Sequence, residues 1–371
     1  MMKNYDIVAA GHICLDLCPA FETNQTQDIS AFFRPGRLIN MDGVTISTGG
    51  SVSNTGFALA KMGLRVLPAA KIGDDAFGML IAGIAEKETG SRIAMQPGAR
   101  SSYSIVLSPP GIDRIILHDP AGNNEFSADD IDFSEVEKAG FFHYGYPPLM
   151  RKVYQEGGSE LLRIFAAAKE TGAVTSLDFT LPDAASESGR IDWQAVLERT
   201  LPFVNLFMPS VEEALYMLNR PEYERITQGG SLDFAVIRAL GTKILNMGTR
   251  LALIKCGVHG IYVKTSSSSD GSFRDREIFQ PSYVVEHFKS ALGGGDTAIA
   301  GFLAAMIKGF GLNDCMRIAC ASGALCCTTY DAIGAMRPIA QIRSMLDGPL
   351  NRTTLPETYL HYDEKERLYT I

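Results

Sequence analysis

The chain has 371 residues, enough for one large α/β domain or two ordinary ones, and 46% of them are hydrophobic, which provides for a core. Its formal net charge of −8 argues against a surface for nucleic acid or anionic membrane, because either would need a basic patch. The seven cysteines form no pair of Cys-x-x-Cys motifs, so neither a disulfide framework nor a zinc site is indicated.

The N-terminal residues do not have the pattern of a leader peptide. Asp6, His12 and Asp16 interrupt the first apolar residues, and no apolar stretch of the sequence is long enough to cross a bilayer. We therefore expect a cytoplasmic protein that binds neither nucleic acid nor membrane.

The first predicted element is a buried strand over residues 5–10, which Gly11 ends. No Gly-x-Gly-x-x-Gly fingerprint follows, so a dinucleotide site is not indicated. Asp16 comes just after this strand, where open α/β sheets bind ligands. Its carboxylate could accept hydrogen bonds from substrate hydroxyls, or it could satisfy a turn.

A glycine-rich segment opens the next predicted helix. Gly49 and Gly50 let a ligand approach the backbone closely, and Asn54 lies on the first turn of the helix, which Gly63 ends. A second buried strand over residues 66–72 and a helix over 79–88 follow. This alternation predicts a parallel, doubly wound α/β sheet.

The region of residues 101–119 breaks the alternation. It holds two strand-like pieces around Pro109, Pro110 and Gly111, which predicts a hairpin that could form a small separate sheet with residues in the 30s and 40s. Strands are then predicted over 141–144, 174–179, 206–208 and 251–255, and helices over 159–170, 193–198 and from 209 onward.

Three consecutive glycines, Gly293, Gly294 and Gly295, lead into Asp296 and a helical pattern that runs to Phe310. A glycine turn that opens a helix directs backbone N–H groups and the positive end of the dipole at one point, which attracts anions. A carboxylate beside such a site suits phosphoryl transfer, where a base must act on the attacking hydroxyl. In the alternative interpretation, Asp296 is only a helix N-cap.

In the order of its elements from about residue 5 to residue 345, the chain resembles the ribokinase-like (PfkB-type) carbohydrate kinases. The segment from Gly49 to Asn54 is similar to the family's N-terminal signature, and Gly293 to Asp296 resembles its C-terminal Gly-Ala-Gly-Asp signature. The resemblance implies a doubly wound α/β/α three-layer core with a small β-sheet lid over the sugar. We expect one kinase domain over 1–345, lid strands within 12–48 and 100–126, and a C-terminal extension over 346–371.

The resemblance also implies roles for individual residues. Asp296 would be the general base for the acceptor hydroxyl, and Gly293, Gly294 and Gly295 would form the anion hole for the γ-phosphoryl group. The sugar would be held by Asp16, Gly49, Gly50, Asn54 and Asn123.

The nucleotide site is implied in the same way, with ATP and Mg²⁺ as cofactors. Glu213 matches the glutamate of the family's Asn-x-x-Glu motif, which orders the magnesium–phosphate site through water, and Ser210 stands in the place of the asparagine. Lys255 and Gly257 lie where the family's nucleotide-binding turn follows its strand.

Four residues depart from the family pattern in ways that bear on function, besides the benign glycine at Gly294 in place of the family's alanine. Ser210 is shorter than the asparagine it replaces, and Ser290-Ala291 stand where relatives that use a monovalent cation carry Asp-Thr. Tyr146 stands about where ribokinase has a sugar-binding glutamate, which does not favour ribose.

The resemblance thus implies an ATP-dependent kinase that phosphorylates a hydroxymethyl group of a sugar or sugar acid. One alternative is a nucleoside kinase of the same family, with Tyr103 and Tyr146 as walls of a base pocket. Another is a non-catalytic, ligand-binding member. Because exposed edges of small sheets favour pairing, a homodimer through the lid is a further expectation.

Overall fold

The computed structural model describes residues 3–21, 35–36, 38–109, 115–348, 351–353, 361–363 and 368–370. The strands in these ranges are β1 (Tyr5–Gly11), β2 (Cys14–Pro19), β3 (Val44–Gly49), β4 (Val66–Ala69), β5 (Ile72–Gly73), β6 (Met95–Gln96), β7 (Tyr103–Leu107), β8 (Ile115–Asp119), β9 (Ala139–Gly145), β10 (Val174–Asp178), β11 (Leu206–Phe207), β12 (Leu251–Lys255), β13 (Gly260–Thr265), β14 (Glu277–Pro281), β15 (His361–Asp363) and β16 (Leu368–Thr370).

The α-helices in the same ranges are α1 (Ala58–Lys61), α2 (Ala76–Thr89), α3 (Phe133–Glu137), α4 (Arg151–Glu170), α5 (Trp193–Thr200), α6 (Val211–Leu218), α7 (Arg220–Thr227), α8 (Phe234–Asn246), α9 (Gly294–Ile307), α10 (Leu312–Cys326) and α11 (Ile339–Met345). A π-helical turn over Val52–Phe57 leads directly into α1. None of the described helices combines the length and the hydropathy that a membrane span requires.

The large sheet carries the fold. Over the described residues its strand order is β15-β16-β14-β13-β12-β11-β10-β9-β1-β4. Within this order, from β4 at the edge through β1, β9, β10 and β11 to β12, each strand is parallel to the next. Beyond β12, the strands β13 and β14 are antiparallel to their neighbours. The prediction of a doubly wound α/β fold is therefore confirmed.

The two faces of this sheet bury separate cores, as alternation along a strand requires. In β1, Val8 and Ala10 pack with apolar residues of α4, α5, α6 and α8. Ile7 and Ala9 point to the other face and pack with α1, α9, α10 and α11. The result is a three-layer α/β/α core.

A second sheet of the described chain has the order β3-β2-β7-β8. Apart from Gly49, the last residue of β3, its strands fall inside the ranges 12–48 and 100–126, and β7 and β8 pair antiparallel, as predicted for the hairpin. Residues 110–114, between β7 and β8 in the sequence, and residues 22–34 and 37, between β2 and β3, lie outside the described residues. We call these four strands the small sheet.

The expected C-terminal extension over 346–371 contributes two strands to the large sheet. The strand β16 pairs antiparallel with β14, and β15 pairs with β16, so both extend the large sheet. Leu368 is fully buried in the core on one face, and Tyr369 packs against the core on the other. Leu368 and Tyr369 are the residues whose alternation indicates a strand. The polar composition of the segment around them concealed that strand in the sequence.

Candidate active site

The candidate site lies at the carboxyl ends of the parallel strands. In the sheet register, Gly145 at the end of β9 is opposite Gly11 of β1 on one side and Asp178 of β10 on the other. A side chain at Gly11 would collide with the backbone of Gly145, so this close approach requires glycine. Lys255 ends β12 at the same edge. Ligands bind at this edge in open α/β sheets.

The glycine turn leads into α9 at that edge. Gly293 is the N-cap, with a left-handed φ of 73°, and Ala332 leaves no room for a side chain there. Asp296 is in the first turn and makes no capping hydrogen bond, so the N-cap interpretation of Asp296 is wrong. The amide of Gly294 donates to the Ala291 carbonyl at 3.2 Å, so this amide is engaged within the turn.

Asp296 is buried, with 5% of its surface exposed, and accepts hydrogen bonds from two side chains. Asn54 Nδ2 donates to Oδ2 at 3.1 Å, and the Tyr146 hydroxyl lies 2.7 Å from both Oδ1 and Oδ2. Burial raises the pKa of Asp296, and the hydrogen bonds from Tyr146 and Asn54 and the charge of Lys255 oppose that rise. The carboxylate is therefore held in one orientation with its basicity increased.

Tyr146 has a strained backbone for a residue other than glycine. Its φ of 66° and ψ of 42° lie in the left-handed region, just after β9 and before Pro147. This conformation carries the hydroxyl to Asp296, and burial together with the nearby Asp296 charge raises the pKa of Tyr146 well above its ordinary value. The sequence comparison placed Tyr146 near the acceptor but missed its contact with the predicted base.

Asn54 reaches Asp296 from the π-helical turn Val52–Phe57, whose residues are all buried. Wider turns of this kind are frequent at functional sites. Thr55 of the same turn donates to the Asp296 carbonyl at 3.5 Å, and Asn54 N–H bonds to the Gly50 carbonyl at 2.8 Å. The structure thus brings Gly50, Asn54 and Asp296 together.

A buried ion pair flanks the glycine turn. Lys255 Nζ lies 2.6 Å from Asp178 Oδ1, and their side chains are 11% and 1% exposed. The Lys255 side chain also runs past Gly295, within 3.6–3.7 Å of where a Cβ would stand. Burial lowers the pKa of Lys255, but the carboxylates of Asp178 and Glu213 outweigh this effect and raise it, so the ammonium stays charged.

Asp178 is a site residue that sequence reasoning missed. Its Oδ2 is buried and has no hydrogen-bond partner among the described residues. The available signal was its place as the last residue of β10, at the same sheet edge as Gly145. An aspartate at the carboxyl end of a central parallel strand is typical of a ligand site.

Ser210 and Glu213 form a capping box at the start of α6. The Ser210 amide donates to Glu213 Oε2 at 2.6 Å, and the Glu213 amide donates to Ser210 Oγ at 3.1 Å. Burial raises the pKa of Glu213, and Lys255 opposes that rise. Gly257, with a φ of 55°, begins the short 3₁₀ turn after β12.

Asp16 lies in a polar row across the small sheet. In the register Ser47 is opposite Asp16, Asp16 is opposite Ser104, and Ser104 is opposite His118. Gly49 leaves the space that the Asp16 carboxylate takes up, since a Cβ at Gly49 would collide with it. Burial raises the pKa of Asp16.

Asn123 has a different position from the one expected for a sugar ligand. Its Nδ2 donates to the Ile13 carbonyl at 2.8 Å, and its Oδ1 accepts from the Ile13 amide at 3.4 Å. Both ends of the amide thus hold the turn between β1 and β2. The contribution of Asn123 to the site is to fix that turn.

A cavity of about 600 Å³ lies beyond the glycine turn, between the segment after β14 and the second half of α10. Its lining includes Tyr283, Val285, Lys289, Ala321, Leu325 and Thr328. Nothing in the sequence analysis singled out this cavity, because its walls come from a non-regular segment and from ordinary helix positions.

The model of the family described as pfkB family carbohydrate kinase matches residues 8–339. The chain belongs to this family. It is therefore a carbohydrate kinase, as the sequence resemblance predicted.

Several known proteins are similar to this chain over nearly its whole length. A 5-dehydro-2-deoxygluconokinase of Shouchella clausii is 22% identical over 350 residues, which is 93% of this chain and 96% of that protein. Probable fructokinase-4 of Arabidopsis thaliana is 22% identical over 355 residues, 92% of this chain and 97% of that protein. The ribokinase of Thermotoga maritima has a TM-score of 0.68 at 15% identity, with 93% of this chain and all of that one covered. The ribokinase of Arabidopsis thaliana, solved with ribose and ATP, has a TM-score of 0.67 at 19% identity, covering 93% and 99%.

Proposed function

We propose that this carbohydrate kinase transfers the γ-phosphoryl group of ATP to a hydroxymethyl group of a sugar or sugar acid. Asp296 acts as the general base, and the turn of Gly293, Gly294 and Gly295 forms the anion hole, in which the Gly294 amide is already bonded to the Ala291 carbonyl. The observation that carries the proposal is the buried carboxylate of Asp296, oriented by Asn54 and Tyr146 at the N-terminus of α9. The carboxylate of Asp296 thus lies within one helical turn of the N-terminus of α9, and a helix N-terminus attracts anions.

In the proposed reaction the acceptor hydroxyl gives its proton to Asp296 as its oxygen attacks the γ-phosphorus, and ADP leaves. The raised pKa of Asp296 suits this role, because a base works best when its pKa approaches the working pH. Lys255, beside Gly295, places a positive charge where negative charge builds up on the transferred group.

The carboxylates near Lys255 fit a magnesium ion. Asp178 has a buried oxygen with no partner among the described residues, and Glu213 is a second, partly buried carboxylate, so hard oxygen ligands are available. We propose that Glu213 holds Mg²⁺ through water and that Asp178 takes part. The bound ion would neutralise charge on the phosphate oxygens.

ATP as the donor is supported by the related structures. The similar Arabidopsis ribokinase was solved with ATP, as was a fructokinase of Xylella fastidiosa with a TM-score of 0.68 at 16% identity. We propose that the cavity lined by Tyr283, Lys289 and Thr328 takes the nucleoside part of ATP. Lys255 and Gly257 would then lie on the phosphate side.

The polar row from Ser47 to His118 supports an acceptor rich in hydroxyl groups. Similar proteins named as a 5-dehydro-2-deoxygluconokinase and as fructokinases fit this class of acceptor. A nucleoside acceptor is less well supported, since Tyr103 packs on Phe77 with ring centroids 5.3 Å apart and Tyr146 is engaged by Asp296. The intact contacts of Asp296 also argue against a member that binds without catalysis.

Asp296→Asn tests the proposal. Asn keeps the shape and can still bond to Asn54 and Tyr146, so the melting temperature should stay near that of the wild type. Turnover of ATP with a panel of sugars and sugar acids should fall by at least about 10²–10⁴-fold. Asp314→Asn is the matched control, because Asp314 lies at the same place in the first turn of α10. Near-wild-type turnover in Asp296→Asn would exclude the catalytic assignment.

We further propose a homodimer through the small sheet. Its strands expose large apolar side chains, with Ile46 46%, Ile116 53% and Leu117 52% accessible. Exposed apolar patches of this kind mark contact surfaces. Light scattering of the wild type and of Leu117→Lys measures the mass, and a wild-type monomer at micromolar concentration would contradict the proposal.

A further inference from the structure

A cluster of two imidazoles and a thiol lies at the junction of the core and the small sheet. His12 directly follows β1, Cys14 begins β2, and His118 lies on the edge strand β8. Their ligand atoms all lie within 4.8 Å of one another, and the two Nε2 atoms are 3.4 Å apart. His12 and Cys14 are buried, and His118 is partly buried.

The geometry points to a Zn²⁺ site formed by His12, Cys14 and His118 as three protein ligands. Zinc binds imidazole nitrogen at about 2.0–2.1 Å in tetrahedral geometry, which sets two such nitrogens about 3.3–3.4 Å apart. The observed Nε2–Nε2 distance of 3.4 Å matches that spacing. The same distance is long for a direct N–H···N hydrogen bond between neutral rings.

The neighbours of the cluster suit a metal site. Ser104 Oγ lies 3.1 Å from His118 Nδ1, so it orients that ring with Nε2 facing His12, as outer-shell partners of zinc histidines do. Ser104 Oγ also lies 3.5 Å from Cys14 Sγ. His12 Nδ1 has no partner among the described residues and faces Gly50, where a side chain would collide with it.

Three protein ligands leave a fourth tetrahedral position, which water can occupy. When zinc binds, the Cys14 thiol loses its proton to solvent and the sulfur becomes a thiolate ligand. The ion would join the core to the edge strand of the small sheet. Asp16 Oδ1 is 3.3 Å from Cys14 Sγ, so the ion would lie beside the proposed acceptor site.

Cysteine spacing alone gave no indication of this site. The two histidines are 106 positions apart, and only the pairing of β2, β7 and β8 brings them together. The proposal concerns the full chain and does not need kinase activity. One consequence rests on the proposed function: Zn²⁺ should inhibit turnover in competition with the acceptor and not with ATP.

The test uses metal-free protein without nucleotide or acceptor. We expect calorimetry to show one equivalent of Zn²⁺ bound, and Co²⁺ to give the intense visible bands of a tetrahedral site with a thiolate-to-cobalt charge-transfer band. Cys14→Ser should abolish the charge-transfer band. Cys14→Ser and His118→Gln should each weaken Zn²⁺ binding by more than the roughly 10–100-fold that loss of an outer-shell partner causes.

Cys18→Ser and His259→Gln are the matched controls, because Cys18 lies on the same strand and His259 lies outside the cluster. Both should bind metal as the wild type does. The absence of a thiolate band in the wild type would overturn the site whether or not the variants fold. Equal losses in Cys18→Ser and Cys14→Ser would also overturn it. A protein that binds Zn²⁺ in calorimetry but shows no kinase turnover in a separate assay with Mg²⁺ and without zinc would refute the proposed function and leave the metal site standing.

Discussion

Lys255→Met separates the structural role of the buried ion pair from its role in the reaction. The Lys255 ammonium lies 2.6 Å from Asp178 and beside Gly295 of the glycine turn. Methionine keeps most of the side-chain volume and removes the charge. The variant therefore loses the positive charge at the anion hole and leaves the Asp178 carboxylate buried without its partner.

The structure sets the size of both effects. Removing one partner of a buried ion pair costs about 3–5 kcal/mol, because the other charge stays out of water. For a chain of 371 residues this corresponds to a fall in Tm of roughly 4–6 °C. Loss of a preorganised charge at the transferred group should lower kcat by about 10²–10³-fold.

The stability loss should also depend on pH. Burial raises the pKa of Asp178 in the folded wild type even though the charge of Lys255 opposes the rise, and removing Lys255 should raise it further. A carboxyl of this kind stabilises the fold fully below its unfolded pKa, and that stability is lost as the pH rises. The deficit against the wild type should therefore be smaller at about pH 4–5 than at about pH 8.

The double variant Asp178→Val/Lys255→Met completes the experiment. Replacing both charges by apolar groups of similar size is often neutral for stability, so Tm by calorimetry should recover while kcat stays low. Lys264→Met, in an ion pair with Glu277 on the neighbouring strand, is the control that should keep turnover. Unchanged kcat in Lys255→Met, or activity restored in the double variant, would refute a role for this charge in phosphoryl transfer.

Three further predictions concern the acceptor, the base and the cation. Asp16→Ala should weaken acceptor binding by about 10–100-fold, because a hydrogen bond to a charged group contributes roughly 1.5–3 kcal/mol, while the ATP affinity measured by calorimetry stays the same. An equal loss of affinity for both ligands would mean that the role of Asp16 is structural. Tyr146→Phe removes a hydrogen bond that lowers the pKa of Asp296, so the acidic limb of the kcat–pH profile should move to higher pH. An unchanged profile would contradict the hydrogen bond between Tyr146 and Asp296. Turnover should require Mg²⁺ but change little when K⁺ replaces Na⁺ at constant ionic strength, because the Ser290 hydroxyl already accepts a hydrogen bond from the Leu292 amide. Several-fold activation by K⁺ would show that backbone carbonyls suffice to bind the cation.

The sequence predicted the core of the fold because its signals are local. Apolar runs bounded by glycine mark the parallel strands, and their alternation with helices leaves few topologies open. The antiparallel pair β7 and β8 was also visible, since the segment joining them contains prolines and a glycine. Strand β16 was not, because a three-residue strand in a polar segment gains its stability from pairing with β14.

The residues of the candidate site also differ in whether a local signal in the sequence marks them. Asp296 and its glycines form one continuous motif, so they could be identified without the structure. Asp178 and Lys255 are 77 positions apart, and their contact depends on the order of β10, β11 and β12 in the sheet. Tyr146 needed a left-handed backbone conformation that no residue pattern indicates.

The buried charges around the glycine turn are unequal, and this imbalance bears on what the site binds. Asp178, Glu213 and Asp296 are carboxyls whose pKa values burial raises, and Lys255 is the ammonium that opposes all three. Holding carboxylates out of water disfavours the folded state, so stability alone does not explain their presence. A ligand that carries both a divalent cation and phosphate groups would relieve the excess, since the cation pairs with the carboxylates and the phosphates pair with Lys255 and the helix N-terminus. The arrangement is thus suited to a metal–nucleotide complex and poorly suited to free nucleotide, whose negative charge the carboxylates would repel.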